Sequence, residues 1–344
     1  MKGKIQGTGS YVPAKVLDNN DLAKFIDTDD QWIQERTGIV RRHIIEDDTT
    51  VSMAVKAAEN ALENAGVKAE EIDLILLSTV SSNVILPSTA CEVQKLLGAR
   101  NAVCYDINAA CSGFLFSLNM VQAYIHAGMI KTALIIGAES LSNIIDWQDR
   151  GTAILFGDGA GAVVVVAEEG ELFPAVMHSD GTKGEALLSR SRFCKQESSF
   201  PGYQAEERRA AKGEGIAGDS DGVKKYPPET YVRMNGQEVF KFALRQVPAA
   251  IEELLAKCGR TTEDVDLFVL HQANRRIVEG VAKRLRVEIR RFPMNLMEYG
   301  NTSSASIPIL LDELHRKGSL KRGMRIVLAG FGAGLSWGAT YMEW

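Results

Sequence analysis

Cys111 is the residue whose setting most clearly suits covalent chemistry. It lies in Tyr105-Asp-Ile-Asn-Ala-Ala-Cys-Ser-Gly-Phe-Leu-Phe, where a β-patterned run (Val103, Tyr105, Ile107) ends in small residues and a helix begins just after the sulfur. A cysteine at a helix amino terminus meets unpaired backbone N–H groups and the positive end of the dipole, and both favour the thiolate. A depressed pKa and a ready nucleophile are therefore expected, with Ala109, Ala110, Ser112 and Gly113 leaving room for a bound group. Cys91, Cys104, Cys194 and Cys258 read as inert buried hydrophobes. With no C-x-x-C spacing, neither a disulfide framework nor a metal cluster is expected.

A plausible base for that nucleophile is His271, which ends the apolar run Val265, Leu267, Phe268, Val269, Leu270 and is followed by Gln-Ala-Asn. The other four histidines lie late in helices or in polar stretches. A histidine at a strand end can take a proton or donate a hydrogen bond. Asn301, in Tyr-Gly-Asn-Thr-Ser-Ser-Ala-Ser, cannot act as a base near pH 7 but can donate to a developing oxyanion. It also suits a helix N-cap, and the two uses are compatible.

The elements that must hold these residues are duplicated. Gly66–Leu77 (GVKAEEIDLILL) repeats as Gly259–Leu270 (GRTTEDVDLFVL), 193 residues later, each after a helical pattern and each leading into a β-rich run. A second pair, Gly128 to Gly137 and Gly318 to Gly330, also follows apolar helices. Anchored on Gly128 and Gly318, its offset of 190 sets Cys111 opposite Asn301. The chain therefore reads as a duplicated α/β protein, one half at 1–170 and the other at 171–344, with functional groups at strand carboxyl ends and helix amino ends. The polar, Gly- and Pro-containing stretch 189–230 reads as a surface insertion between the halves.

Composition narrows the class. The 344 residues carry 39 Lys and Arg against 44 Asp and Glu, a net charge of −5, which argues against non-specific nucleic-acid or membrane-surface binding. No secretory core is visible, and the longest apolar run, about Ala160 to Ala167, is too short for a membrane span, so a cytoplasmic protein is expected. Gly157-Asp-Gly-Ala-Gly leads into a β-branched strand rather than a helix, which excludes a dinucleotide fingerprint. Gly330-Phe-Gly-Ala-Gly likewise suits a tight turn that aims backbone N–H groups into a cavity. Trp32 and Arg36, spaced i, i+4, share a helix face and can grip a flat base and its phosphates.

Taken together, GTGSYVP at 7–13, WIQERTGI at 32–39, ACSGF at 110–114, DRGT at 149–152, GDGAGA at 157–162, HQAN at 271–274 and GNTSSAS at 300–306 closely resemble the β-ketoacyl-acyl-carrier-protein synthase III family, the initiating condensing enzymes of bacterial fatty acid synthesis. The resemblance implies a thiolase-like, duplicated five-layered αβαβα fold, a homodimer, and a ping-pong condensation of an acyl-CoA primer with malonyl-acyl-carrier protein. It implies Cys111 as acyl acceptor, with His271 and Asn301 binding the malonyl thioester carbonyl. Trp32 and Arg150 would sandwich the adenine of coenzyme A, with Arg36, Thr37, Phe240 and Asn274 along the access channel. Coenzyme A thioester enters as substrate, and neither a resident cofactor nor a metal is implied. The carrier contact falls at Gln272, Ala273, Asn274, Arg275 and Arg276, on a helix whose Lys and Arg outnumber its acids. Leu86, Gln237 and the insertion depart from the family pattern. They motivate an alternative, a specialised thiolase-like condensing enzyme or acyltransferase of secondary metabolism.

Overall fold

Strands that are apolar on both faces need cover on both faces, and this requirement organises the molecule. The computed structural model describes residues 1–191 and 228–344. Strands β1 (Lys2–Tyr11), β2 (Val16–Asp18), β3 (Arg41–His43), β4 (Leu74–Ser78), β5 (Val103–Ile107), β6 (Thr132–Glu139) and β7 (Gly159–Glu168) come first in the chain. They are followed by β8 (Ala175–Ser179), β9 (Leu187–Leu188), β10 (Arg233–Met234), β11 (Leu267–Leu270), β12 (Arg325–Gly332) and β13 (Ser336–Glu343). One large sheet runs β1-β7-β6-β4-β5 and a second β11-β12-β13-β8, while β2-β3 and β10-β9 form two-stranded sheets. In the first, β4 is parallel to β5 and β6, while β7 is antiparallel to β6 and β1. In the second, β11 is parallel to β12, and β13 is antiparallel to β12 and β8.

Side-chain alternation assigns the layers. Leu74, Leu76, Ala133 and Ile135 face inward and pack on the helices Gly113–His126 and Ser306–Arg316, whose other sides meet Val269, Ile326 and Leu328 of the second sheet. Ile75, Leu77, Leu134 and Ile136 face outward and are covered by the helices Thr50–Ala65 and Thr89–Leu97. On the far side, Phe268, Leu270, Val327 and Ala329 are covered by Gly236–Lys257 and Arg275–Leu285. The result is the expected five-layered α/β/α/β/α stack. Each fully buried Leu, Ile or Phe in it contributes about 1.5–3 kcal/mol of transfer free energy.

The repeated aspartates have a structural use. Asp73 Oδ2 accepts the backbone N–H groups of Lys131 and Thr132 at 2.7 and 2.9 Å, and Asp266 Oδ2 accepts that of Arg325 at 2.7 Å. Each carboxylate thus sets the start of the parallel neighbour strand in its own sheet. The register of the repeat corrects one expectation. The 3-10 turn Ala110–Ser112 corresponds to Ser303–Ala305, and the helices that follow start at Gly113 and Ser306, all at the 193 offset. Ala110 and Ser303 even share a left-handed backbone, φ 45° and 50°. Cys111 therefore stands opposite Ser304, not Asn301. The second central helix has 11 residues against 14, with a compensating longer loop, which is why Gly128 and Gly318 are misleading anchors.

The Gly157–Ala162 run is a packing device. A Cβ at Gly161 would lie 2.7 Å from the Ile309 nitrogen, so its absence lets the Ser306–Arg316 helix sit directly on β7. Asp158 beside it accepts hydrogen bonds from the Ser142 and Ile45 amides at 2.9 Å, tying two loops to the strand. Of the insertion expected at 189–230, residues 192–227 lie outside the described residues; its flanks are joined by β9 and β10 and by the Arg190 amide on the Glu229 carbonyl. Among the described residues no helix is long and apolar enough to cross a membrane.

Candidate active site

The chain leaves β5, turns through Ala110 and enters the central helix, placing Cys111 at that helix start with 8% of its surface exposed. Space around it is tight. A Cβ on Gly332 would stand 2.7 Å from the Cys111 nitrogen, and one on Gly113 would overlap the Ser78 hydroxyl. Burial pushes the thiol up to about 12; the Ser303 hydroxyl opposes this, and the nearby Glu139 carboxylate adds to it. The expected low-pKa thiolate is thus corrected. Desolvation outweighs the helix start, and the sulfur rests as a thiol that must lose its proton during reaction.

Asn301 is held by its own backbone, donating to Leu155 O at 2.8 Å and accepting from Gly157 N at 3.1 Å. Its side-chain Oδ1 accepts the Ser303 amide at 2.9 Å, which leaves Nδ2 as the donor end. Local turn-former and oxyanion donor are therefore the two ends of one carboxamide. His271 follows β11 and is 2% exposed, its amide donating to Ala329 O and its ring edge-to-face with Phe331 at 5.4 Å. Burial pulls the imidazole down to about 3, so the ring is neutral and weakly basic. Hydrogen-bond donation, rather than the expected role of base, suits it.

A single segment joins the three. Ser303 lines the same cavity as Cys111 and donates its amide to Asn301 Oδ1, and three residues later Ser306 Oγ lies 2.7 Å from His271 Nδ1. Cys111 and Ser303 open onto a cavity of about 1290 Å³ that is also lined by Phe156, Ile144, Val232 and Ala333. The loop Thr79–Ile85 forms another wall, and its neighbour Leu86 is 87% exposed.

The outlying candidates divide. Trp32 lies between two guanidinium groups, Arg36 at 4.2 Å and Arg150 at 4.7 Å from its ring centroid. Arg150 also donates to the Asp27 carbonyl at 3.0 Å, so a base inserted over the indole must displace it. Asn274 caps the Arg275–Leu285 helix by accepting from Arg276 N at 2.8 Å, and its Nδ2 donates to Arg36 O at 3.0 Å. Phe240 is half-buried beneath Arg276 at 5.4 Å. Thr37 and Gln272 are buried and committed elsewhere. The Thr37 hydroxyl donates to Ile33 O at 2.7 Å, while Gln272 donates to Leu270 O at 2.8 Å and accepts from Asn295 N at 3.1 Å. Both therefore shape the site from beneath and do not offer their side chains to a ligand. Ala273 and Arg275 are half-buried, and Arg276 is exposed.

Sequence reasoning missed Ser303, Ser306 and Glu139. Glu139 carried a usable signal, an acid closing the apolar run Ala-Leu-Ile-Ile-Gly-Ala-Glu at a strand carboxyl end, the same position that marks His271.

Comparison with known proteins places the chain in a family. Residues 105–181 match the family described as 3-oxoacyl-[acyl-carrier-protein (ACP)] synthase III, and residues 255–344 match its C-terminal counterpart. The chain is 44% identical over 342 residues to a β-ketoacyl-[acyl-carrier-protein] synthase III of Clostridium acetobutylicum, covering 99% of this chain and 98% of that protein. It superposes with a TM-score of 0.86 on the crystal structure of 3-oxoacyl-[acyl-carrier-protein] synthase III from Aquifex aeolicus VF5, at 40% identity over 99% of this chain and 100% of that one. The priming β-ketosynthase of the R1128 polyketide pathway gives 0.85 at 34% identity, covering 99% and 96%.

Proposed function

The chain belongs to the β-ketoacyl-[acyl-carrier-protein] synthase III family, and from that premise we propose how its residues divide the reaction. The enzyme is an acyltransferase that condenses an acyl-CoA with malonyl-acyl-carrier protein, the step that initiates fatty acid synthesis. Cys111 takes the acyl group as a thioester. The malonyl thioester then places its carbonyl against His271 and the Nδ2 of Asn301, whose donation stabilises the enolate left as carbon dioxide departs. That carbanion attacks the acyl-Cys111 carbonyl, whose oxygen is received by the Cys111 amide and an amide of the turn at Ala333. Carbon–carbon bond formation of this kind needs donors aimed at oxyanions more than a strong base, which fits a neutral, desolvated imidazole.

The observation that carries this reading is the segment 301–306, which holds the imidazole through Ser306 and the carboxamide through the Ser303 amide, and whose Ser303 lines one cavity with Cys111. Trp32, Arg36 and Arg150 form the adenine end of the coenzyme A path, with Phe240 and Asn274 further along. Arg276, exposed on a cationic helix beside the site, meets the acidic carrier protein together with Ala273 and Arg275. A second copy of the chain covers the free edge of β5, where Val103 and Leu96 are 64% and 59% exposed and Leu86 stands out beside them. We place the reaction in the cytoplasm; Cys91, Cys104, Cys111 and Cys258 are all unbonded, as a reducing compartment requires.

Intact-mass measurement after exposure to a panel of acyl-CoAs tests the assignment. The wild type and the H271A and N301A variants should gain one acyl group and C111A none, while only H271A and N301A lose malonyl decarboxylation with the sulfur intact. Undiminished decarboxylation in those two variants overturns the roles. The likeness to a priming synthase of a polyketide pathway, with Leu86 and Gln237, supports the alternative of a specialised condensing enzyme. Preference for malonyl-CoA over malonyl-carrier protein as extender identifies that case.

A further inference from the structure

Arg42, in the middle of β3, is fully buried, and the steps above make no use of it. Its guanidinium reaches three acceptors. Nη2 donates to the Ile154 carbonyl at 2.8 Å, while Nη1 donates to Asn19 Oδ1 at 2.9 Å and to the Leu17 carbonyl at 3.2 Å. All three are neutral oxygens, and among the described residues Nε has no partner. Burial pulls the guanidinium down to about 10, with Asp18 opposing, and it stays a cation at pH 7. A cation buried against neutral acceptors is a poor way to gain stability. What it offers is a rigid planar fork that fixes separate segments at once.

One of those segments grips Asn301. Ile154 leads into Leu155, whose carbonyl accepts the Asn301 amide at 2.8 Å, and Gly157, whose amide donates to the Asn301 carbonyl at 3.1 Å. Phe156, between them, bridges Asn301 in parallel register. The stem of Arg42 packs against the same junction. A Cβ added to Gly157 would stand 3.1 Å from the Arg42 Cβ, and one added to Gly300 would stand 3.4 Å from it. Arg42 therefore holds the Asn301 junction twice, by its donor end at Ile154 and by its stem between two glycines. None of these contacts involves Cys111. The other arm leads away from the reacting groups: Asn19 Nδ2 donates to the Ile39 carbonyl at 2.8 Å and to Asp30 Oδ1 at 2.9 Å, at the start of the helix Asp30–Thr37 that bears Trp32.

We propose that Arg42 is a positioning residue for the condensation half-reaction, holding residues 154–157 so that the Asn301 carboxamide presents Nδ2 to the malonyl thioester. The direct grip on the junction favours Asn301 over Trp32, which Arg42 reaches only through Asn19 and Asp30. Lysine in its place keeps the charge but is a point donor on a flexible stem, unable to hold Ile154 and Asn19 together. The proposal rests on Asn301 being an oxyanion donor.

The test compares the wild type, R42K, R42M, N301A and the double variant R42K/N301A. Rapid-quench mass analysis follows acyl-Cys111 formation at saturating acetyl-CoA, and carbon dioxide release follows malonyl-carrier protein. R42K should lower kcat for carbon dioxide release about 10- to 100-fold, the loss expected when a donor shifts by about an ångström, with KM for malonyl-carrier protein within about threefold. R42M, which has no donors, should fall at least as far. Acylation should stay within about threefold in both, a split that general loss of fold does not give. Added to N301A, R42K should slow the residual carbon dioxide release by less than about threefold, because residues that act as a unit are not additive. Carbon dioxide release within about threefold of wild type in R42K overturns the proposal, as does an equal fall in acylation or a full R42K effect in the N301A background. A raised KM for acetyl-CoA with decarboxylation intact also overturns it, and assigns Arg42 to the adenine end instead. An N301A variant that decarboxylates like the wild type sinks the earlier assignment, a failure visible without any change at Arg42.

Discussion

Ser306 stands against the ring of His271. Its Oγ lies 2.7 Å from Nδ1 and also receives the Gln272 amide at 3.3 Å. The donor role proposed for His271 requires Ser306 to donate to Nδ1 and the neutral ring to carry its proton on Nε2. Ser306→Ala should lower malonyl decarboxylation by about 10- to 100-fold, less than losing the donor outright. Acylation of Cys111 from acyl-CoA should stay within about twofold, because Ser306 does not reach the sulfur. Separate rates for the two half-reactions check this.

Burial of His271 has a consequence for folding. Its folded pKa of about 3 lies below the unfolded value of about 6.5, so the unfolded chain binds a proton that the folded one refuses. Stability from this source is therefore complete above pH 6.5 and is lost progressively as pH falls toward 3. Urea unfolding at pH 7 and 4.5 should show a smaller acid loss in His271→Gln than in the wild type.

Gly332 leaves no room for a side chain beside the nucleophile. A Cβ there would stand 2.7 Å from the Cys111 nitrogen and 3.2 Å from its Cα. Backbone cannot yield as a flexible side chain can, so Gly332→Ala should cost about 1–3 kcal/mol and displace the sulfur. Denaturant melts read the first effect, and acyl-Cys111 formation reads the second.

Trp32 holds two guanidinium groups by its faces, 4.2 and 4.7 Å from the centroid. Trp32→Ala should raise KM for acyl-CoA by about tenfold, the worth of one or two such contacts, with kcat near wild type. Substrate titrations with carrier protein held saturating distinguish this from a general loss of fold.

Much of this was legible before any coordinates, and the particulars show why. Asp73 and Asp266 sit at equal places in a repeat because each makes the same hydrogen bond to the start of a neighbouring strand. The helices on either side follow from local periodicity. Cys111, His271 and Asn301 stand out as candidates because chain ends of strands and helices are marked by abrupt changes in residue type. The register of the second repeat was misread because a helix lost three residues and its loop regained them, a compensation that a glycine anchor cannot reveal. Thr37 and Gln272 passed for ligand contacts because a motif does not say which of its side chains face inward.

Sequence alone determined the two-fold plan of strands and helices and marked a trio of candidate residues at their ends, since both are written in local pattern and residue type. Tertiary structure decided the electrical state of that trio. Whether a thiol keeps its proton and an imidazole stays neutral depends on how much water is excluded and which distant hydroxyls converge. Ser303, Ser306 and Glu139 meet the site only after the two sheets close on the central helices.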